Sequence, residues 1–273
     1  MTDLRLGDCL EVMKSIPNGS IDAIITDPPY GTTACKWDSV IDFELMWEQL
    51  NRIIKPNGAI VLFGSEPFSS ALRMSNIKNF KYDWVWEKTH AKGHLNAKRM
   101  PMKAHELISV FYSKQPTYNP VKTKGHKRKI SSQSSRDKSI ARGHKKDKVY
   151  QDEIIGKCGD YDSTERYPRS IQVFKSDMQK SKLHPTQKPI ALMEYLVKTY
   201  TNENETVLDF TMGSGSTGVA AKNTNRNFIG IEKDEAYFKI ATDRISKEEK
   251  QLKILWHYTL ANVERLKNYL RLQ

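Results

Sequence analysis

The chain has 273 residues, 38% of them hydrophobic, three cysteines and a formal net charge of +12. That length and composition support one large domain or a core domain with an insertion. They exclude a helical membrane span, because no stretch approaches the ~20 apolar residues one requires, and a disulfide or metal-cluster framework, because Cys9, Cys35 and Cys158 have no ligand spacing and cannot all pair. The cysteines read as reduced thiols, and an N-terminus without the charged and apolar regions of a signal peptide leads us to expect a cytoplasmic protein.

In chain order, Leu4–Leu6 predicts a short strand, and Asp8 stands where it can cap a helix over Cys9–Ile16 with Leu10, Val12, Met13 and Ile16 as its apolar face. Pro17–Ser20 is a turn. Ile21–Thr26, apolar with β-branched residues, predicts a buried strand that runs into Asp27-Pro28-Pro29-Tyr30. Neither proline has an N–H for a sheet ladder, and their fixed φ turns the chain out of the sheet. Proline also biases the residue before it towards an extended backbone, which suits Asp27 at a strand tip. A polar loop, Gly31–Asp42, leads to an amphipathic helix over Phe43–Lys55, stopped by Pro56-Asn57-Gly58. Ala59–Phe63 predicts a second buried strand ending at Gly64-Ser65-Glu66, and Pro67 opens a helix to about Asn76. Tyr82–Glu87 and Leu107–Tyr112 predict two more strands. The connection between them, Lys88–His105, carries Lys92, His94, Lys98 and Arg99 and reads equally as a phosphate-contacting loop or as an ordinary exposed one.

The charge is concentrated next. Residues 114–182 hold 18 Lys and Arg against 8 Asp and Glu, a local +10. Tyr118, Tyr150, Tyr161 and Tyr167 are interleaved with Lys122, Lys124, Lys127, Arg128, Lys129, Lys145 and Lys146, a mixture that suits a nucleic acid, although a solvated charged loop has the same composition. This stretch reads as a module inserted between residues 1–113 and 183–250. Order resumes at His184-Pro185-Thr186-Gln187-Lys188-Pro189, with a helix from Pro189 to about Tyr200. Thr206–Phe210 predicts a strand, Thr211–Gly218 a glycine-bearing loop, and Val219-Ala220-Ala221 the start of a helix. Asn227–Ile231 is a strand closed by Glu232. A long helix over 234–250 is followed by a basic amphipathic extension, 251–273, which packs on the core or on a second subunit.

Two sets of groups carry chemistry. The corner at Asp27 offers a carboxylate, backbone carbonyls and an aromatic ring on a stiff turn. An exocyclic amine on a nucleobase is a poor nucleophile because its lone pair is delocalised; a carboxylate and a carbonyl that accept its hydrogens localise the pair, and a ring holds the base by stacking. The strand, glycine loop and helix over 206–222 offer close backbone approach and free N–H groups to a ligand, and Glu232 stands one strand later, where an acid can accept ribose hydroxyls.

Together these motifs resemble the S-adenosylmethionine-dependent amino-methyltransferases of DNA in their permuted (β) order, with Asp27-Pro28-Pro29-Tyr30 first, the basic module second, then His184–Pro189, Asp209–Gly215 and Glu232. The likeness covers about residues 3–113 and 183–245. It implies an α/β, Rossmann-like methyltransferase fold with a mostly parallel sheet, helices on both faces and an inserted target-recognition region. It implies that Asp27 and the Pro28 carbonyl accept from the target amine and that Tyr30 stacks on the extruded base. Asp8, with Cys9, meets the cofactor's adenine, Glu232, with Lys233, the ribose, and Thr186, Lys188 and Gly213–Thr217 (Gly213, Ser214, Gly215, Ser216, Thr217) the methionine end; Phe63, Gly64 and Ser65 line the pockets. The sequence departs from the family loop Asp-Pro-Phe-x-Gly-x-Gly: Phe210 replaces its proline and Thr211 its aromatic. The resemblance favours adenine as target over the cytosine 4-amino group. It makes double-stranded DNA the partner and offers a homodimer and a restriction endonuclease as further ones. Two readings from other classes stay open: a DNA-binding homologue without activity, and an NAD-dependent oxidoreductase.

Overall fold

The structure is a computed structural model that describes residues 1–32, 38–132, 160–176 and 187–248. It forms two compact units, Met1–Asn119 with the chain from Ser170 onward, and Pro120–Arg169. The first contains β1 (Thr2–Leu6), α1 (Cys9–Met13), β2 (Ile21–Thr26), α2 (Phe43–Ile53), β3 (Ile54–Gly64), α3 (Phe68–Ser75), β4 (Phe80–Lys92) and β5 (Lys103–Phe111). The second contributes β6 (Lys129–Ser131) and β7 (Tyr161–Ser163). The first unit then continues with β8 (Ile171–Phe174), α4 (Ile190–Tyr200), β9 (Thr206–Asp209), α5 (Ser216–Asn223), β10 (Asn227–Glu232) and α6 over 235–248. No described helix is long and apolar enough to cross a membrane.

The eight strands of the first unit form one sheet in the order β1-β10-β9-β2-β3-β5-β4-β8. It is parallel from β1 to β3 and where β8 meets β4; β5 runs antiparallel to both its neighbours. Alternate residues of the central strands feed two apolar clusters, as a strand's period of two requires. Ala23, Ile25, Val61, Phe63 and Val207 pack with Leu192, Leu196, Ala220 and Ile245, so α4, α5 and α6 cover one face. Ile24, Ile60, Leu62 and Leu208 pack with Met13, Leu50, Ile53 and Leu72, so α1, α2 and α3 cover the other. Burial on both faces explains why these strands are apolar throughout instead of alternating. From β9 the chain winds outward to β10, and from β2 outward to β3, so the topology reverses between β9 and β2. Crevices at such switch points, at the carboxyl ends of the strands, are where open α/β sheets bind ligands.

Several boundaries differ from expectation. The helix after Asp8 ends at Met13, although Asp8 does cap it, accepting from Leu10 N at 3.0 Å. α2 ends at Ile53, and β3 is already extended at Ile54, where it pairs with Ile21 before Pro56-Asn57-Gly58 is reached. Lys88–His105 is largely not a loop: β4 and β5 form a long antiparallel hairpin that still pairs Lys92 with Lys103, with one 3-10 turn at His94–Asn96 near its tip. The expected insertion, 114–182, is too wide. Ile171–Phe174 adds to the edge of the main sheet, its backbone completing the ladder of β4. The second unit is held by the β6/β7 pairing, a bridge between Thr123 and Arg166, and the Arg128–Asp162 ion pair. The expected extension 251–273 and the residues Lys145, Lys146 and Thr186 lie outside the described residues.

Candidate active site

The tips of β2, β9 and β10 surround one cavity of about 960 Å³ in the first unit. Its lining includes Asp8, Cys9, Asp27, Pro28, Pro29, Tyr30, Lys92, Lys188, Asp209, Phe210, Thr211, Gly213, Ser214, Ser216, Thr217, Glu232 and Lys233. The corner after β2 and the glycine loop after β9, 182 residues apart from Asp27 to Asp209 in sequence, therefore face the same space, and they are tied directly: Thr211 Oγ1 donates to the Asp27 carbonyl at 3.1 Å. The residue standing where the family has an aromatic thus braces one half of the site to the other. Phe210 belongs to the core beneath, 1% exposed.

Asp209 is a second brace. Its carboxylate accepts from Thr26 Oγ1, from Thr217 Oγ1 at 2.5 Å and from Thr211 N at 3.2 Å. Burial pushes its acid up to about 6, against the pull of those three donors. Glu232 closes β10 and pins the loop: its Oε2 accepts Gly213 N, and its Oε1 accepts the N–H groups of Lys233 and Asp234, each at 2.8 Å. Burial raises its acid as well. Gly213 and Gly215 both sit in the left-handed region, with φ of 51° and 77°, which favours glycine. Gly215 ends the loop as the cap of α5. Asp8 accepts Lys233 Nζ at 3.1 Å; burial opposes its charge, but Lys233 and the Leu10 N–H outweigh it and hold the acid below its usual value. Cys9 is buried beside it, and burial pushes its thiol up to about 12, which disfavours the thiolate.

The Asp27 corner is held by Tyr30 and Lys188 together with Asp38, Lys88 and Glu106, which sequence pattern did not single out. Asp38 accepts the N–H groups of Tyr30 and Gly31 on Oδ1, at 2.8 and 2.9 Å, and that of Thr32 on Oδ2 at 2.9 Å, fixing the turn after the prolines. Tyr30 donates its hydroxyl to Asp27 Oδ1 and packs its ring on Phe68 with centroids 5.0 Å apart. Lys188 donates to Asp27 Oδ2 at 2.5 Å and lies 3.1 Å from Glu106 Oε2, and Glu106 Oε1 is held by Lys88. The two lysines and two acids form a buried, charge-balanced cluster spanning β2, β4, β5 and the approach to α4. Burial pushes the Asp27 acid up and Lys188 pulls it down, with burial prevailing. For Lys188 burial works against the ammonium, and Asp27 with Glu106 outweighs it, so the lysine stays charged.

Four expected cofactor residues stand apart from the cavity lining. Phe63 is fully buried in the core, with the Lys188 ammonium 5.1 Å from its ring centre. Gly64 packs on Ser69, Ser65 is buried with its carbonyl accepting Ser69 N at 3.0 Å, and Gly215 packs on Ala241. Among the expected DNA-contacting cations, Lys98 and Arg99 are exposed on the β4–β5 hairpin. In the second unit Arg128 pairs with Asp162, and Lys122 with Glu165 at 3.5 Å and with the face of Tyr167; Lys124 lies 4.0 Å from Glu165, and Lys127 and Lys129 are exposed.

Known proteins resemble this chain in sequence and fold. The model of the DNA methylase family matches residues 21–243. The Type II methyltransferase M.HinfI of Haemophilus influenzae is 28% identical over 270 residues, covering 88% of this chain and 67% of its own. The crystal structure of an M1.HpyAVI–SAM complex is 29% identical with a TM-score of 0.60, covering 90% of this chain and 99% of that one. The cytosine-N4-specific PvuII DNA methyltransferase shares the fold, with a TM-score of 0.62 at 16% identity over 92% of each chain. With the corner and the glycine loop on one cavity and the family matched over 223 residues, the chain belongs to the DNA methylase family, the N6/N4 amino-methyltransferases of DNA.

Proposed function

We propose that this chain transfers a methyl group from S-adenosylmethionine to the 6-amino group of adenine in a base extruded from duplex DNA. The observation that carries the reading is the shared cavity: the Asp27 carboxylate and the Gly213–Thr217 loop border the same space. The residues fit the cofactor. Ser176, Gln187 and Ser216, all in the lining, each bury a side-chain oxygen without a hydrogen-bond partner among the described residues, and Glu232 and Asp8 supply acceptors at the strand tips. S-adenosylmethionine, when bound, supplies a methyl group activated by its sulfonium. Glu232, Lys233 and Asp8 would hold the nucleoside end, and Ser214, Ser216 and Thr217 the amino-acid end. Asp27 accepts hydrogens of the target amine and, with the Pro28 carbonyl, returns the lone pair to nitrogen; Tyr30 offers its ring to the base. The base leaves the stack because its amine is otherwise paired. Positioning and electrostatics then carry the acceleration, with no enzyme-bound covalent intermediate.

The adenine preference rests on the aspartate in Asp27-Pro28-Pro29-Tyr30. Digesting DNA treated with the enzyme to nucleosides, and identifying the product, tests it: N6-methyladenine is expected, and modified cytosine alone would overturn the choice of base. The second unit would be the target-recognition region. Neutralising Lys127 and Lys129 together should weaken DNA binding for all sequences and lower the slope of log K against log salt by about 2, near one for each phosphate no longer neutralised. An unchanged slope in a salt titration would make those lysines bystanders. A homodimer and a restriction endonuclease partner complete the proposal; sedimentation of the full chain tests the first.

A further inference from the structure

The acceptor that this chemistry needs is already engaged. Asp27 Oδ1 takes the Tyr30 hydroxyl, and Oδ2 takes the Lys188 ammonium at 2.5 Å. The same ammonium stands 5.9 Å over the Tyr30 ring. An amine entering to donate to Asp27, on a base lying against Tyr30, meets a cation that already does both. A second acceptor is within reach. Glu106 Oε2 lies 3.1 Å from Lys188 Nζ, close enough for an ion pair, yet it is buried with no aligned hydrogen bond. Its other oxygen is held by Lys88. Lys188 therefore bridges the two acids, with its shorter, aligned bond to Asp27 and its longer ion pair to Glu106.

We propose that Lys188 is a placeholder for the target amine, and that Glu106 is a positioning residue that receives the Lys188 ammonium when the amine takes its place on Asp27. The inference rests on Asp27 being the amine's acceptor and holds for adenine and cytosine alike. No covalent bond is made or broken and no proton leaves the cluster; an ammonium exchanges one carboxylate for another about as close. This hand-over keeps the Lys188 ammonium paired at each stage, which matters because a buried ion stripped of its partner is costly; Asp27 exchanges its ion partner for the hydrogens of the amine. Lys88 keeps the receiver ready: burial opposes the Glu106 charge, but Lys188 and Lys88 hold its acid down at about 2.

The titratable and charged groups of the cluster set the pH readout. Lys188 before α4, Glu106 on β5, the neutral Tyr30 after β2 and Asp209 on β9 act on Asp27 directly; Lys88 and Lys92 on β4 and Lys103 on β5 face Glu106, and Asp38 lies beside Tyr30. Without Lys188, the Asp27 carboxylate keeps its burial and the repulsion of Glu106 and loses the cation that countered them. Its acid then rises, and the ionised form needed to accept the amine survives only at higher pH.

The experiment uses the full chain and unmodified DNA, measuring kcat/KM for DNA against pH and S-adenosylhomocysteine affinity by calorimetry, for wild type, Glu106→Gln and Lys188→Met. Glu106→Gln keeps the shape and the cofactor affinity, and its kcat/KM should fall about tenfold or more because the ammonium has no charged receiver. Lys188→Met should move the acid limb of the profile up by about one pH unit, the size of effect a lost charge partner produces. The limb of Lys188→Met reports the charge coupling to Asp27, which any ion pair between them gives; the fall in Glu106→Gln is what separates a hand-over from a purely structural ion pair. The proposal fails if Glu106→Gln keeps the wild-type kcat/KM, or if the limb of Lys188→Met stays put. It also fails if Lys188→Met loses S-adenosylhomocysteine binding with the limb unmoved, which would assign the lysine to the cofactor. A wild-type chain that methylates no DNA would sink the reading of Asp27 itself, an outcome distinct from silent variants of an active enzyme.

Discussion

Asp27→Ala should stop methyl incorporation into DNA, with kcat lower by about 10³-fold, while S-adenosylhomocysteine still raises the Tm. A pre-aimed acceptor at the point where charge develops contributes on this scale. Here the acceptor is aimed by a stack of constraints: the prolines stop β2, Asp38 ties down the three amides that follow, Thr211 holds the Asp27 carbonyl, and Tyr30 and Lys188 hold the two carboxylate oxygens. The nucleoside end of the cavity is built by other strands, through Glu232 and Asp8, so cofactor affinity should survive. Stability should not be untouched. Removing one partner of a buried ion pair costs about 3–5 kcal/mol where the other is left alone, and less here, because Glu106 remains beside Lys188. Asp27→Asn separates the two effects. It keeps the volume and one carbonyl acceptor and loses the charge, so its Tm should lie nearer to wild type while most of the rate is still lost. Labelled-methyl incorporation beside a thermal melt with and without S-adenosylhomocysteine reads both. Wild-type turnover in Asp27→Ala would remove the corner from the reaction.

The parts of this site that were legible in the sequence are those whose local chemistry announces them. Asp27-Pro28-Pro29 marks a strand tip because proline cannot continue a ladder, and Gly213-Ser214-Gly215 marks a ligand loop because only glycine is at ease there. The α/β fold is what the family resemblance implies, and the strands alternating with helices agree with it. What escaped is what depends on tertiary register. Glu106 sits on a strand between His105 and Leu107, and nothing in that run says that its side chain turns inward. The pairing of Trp86 with Glu106 across β4 and β5, and the meeting of Lys88 with Lys188 around one carboxylate, decide it. Asp38 looked like one polar loop residue among many, yet it fixes the turn from eight residues away. The departure from the family's loop motif has its account in Thr211, whose hydroxyl crosses to the Asp27 carbonyl, a bond between segments that no local pattern contains. In sequence β8 falls within a basic stretch, its four residues flanked by charge; as an edge strand it needs little apolar surface, and Ile171 and Val173 are exposed.

Gly215→Ala should cost the fold about 2–5 kcal/mol and weaken S-adenosylhomocysteine binding by about tenfold or more. One part of that figure is backbone: a residue with a Cβ held in the left-handed region pays about 1–2 kcal/mol, and Gly215 has φ of 77°. The other part is crowding, since a new methyl in a packed site costs about 1–3 kcal/mol. An added Cβ would lie 3.0 Å from the Ala241 Cβ and 3.2 Å from both its Cα and the Ile245 Cδ1, so α6 or the loop has to move. If α6 gives way, the Tm falls and the cavity keeps its shape. If the loop gives way, the whole strap from Asp209 to Thr217 shifts, because Gly215 N is bonded to the Met212 carbonyl and Arg244 on α6 grips Ser214. Gly213 then pulls on Glu232 through its 2.8 Å bond. The loop is the weaker party. It is a short run of turns held by single hydrogen bonds, whereas α6 is anchored by Ala241 and Ile245, both 1% exposed or less in the core. Binding should therefore suffer beyond what the Tm alone would explain. Calorimetry with S-adenosylhomocysteine at a temperature well below the Tm separates the two, and a variant that melts early yet binds with wild-type affinity would show that α6 yields and that the loop's geometry is set without Gly215.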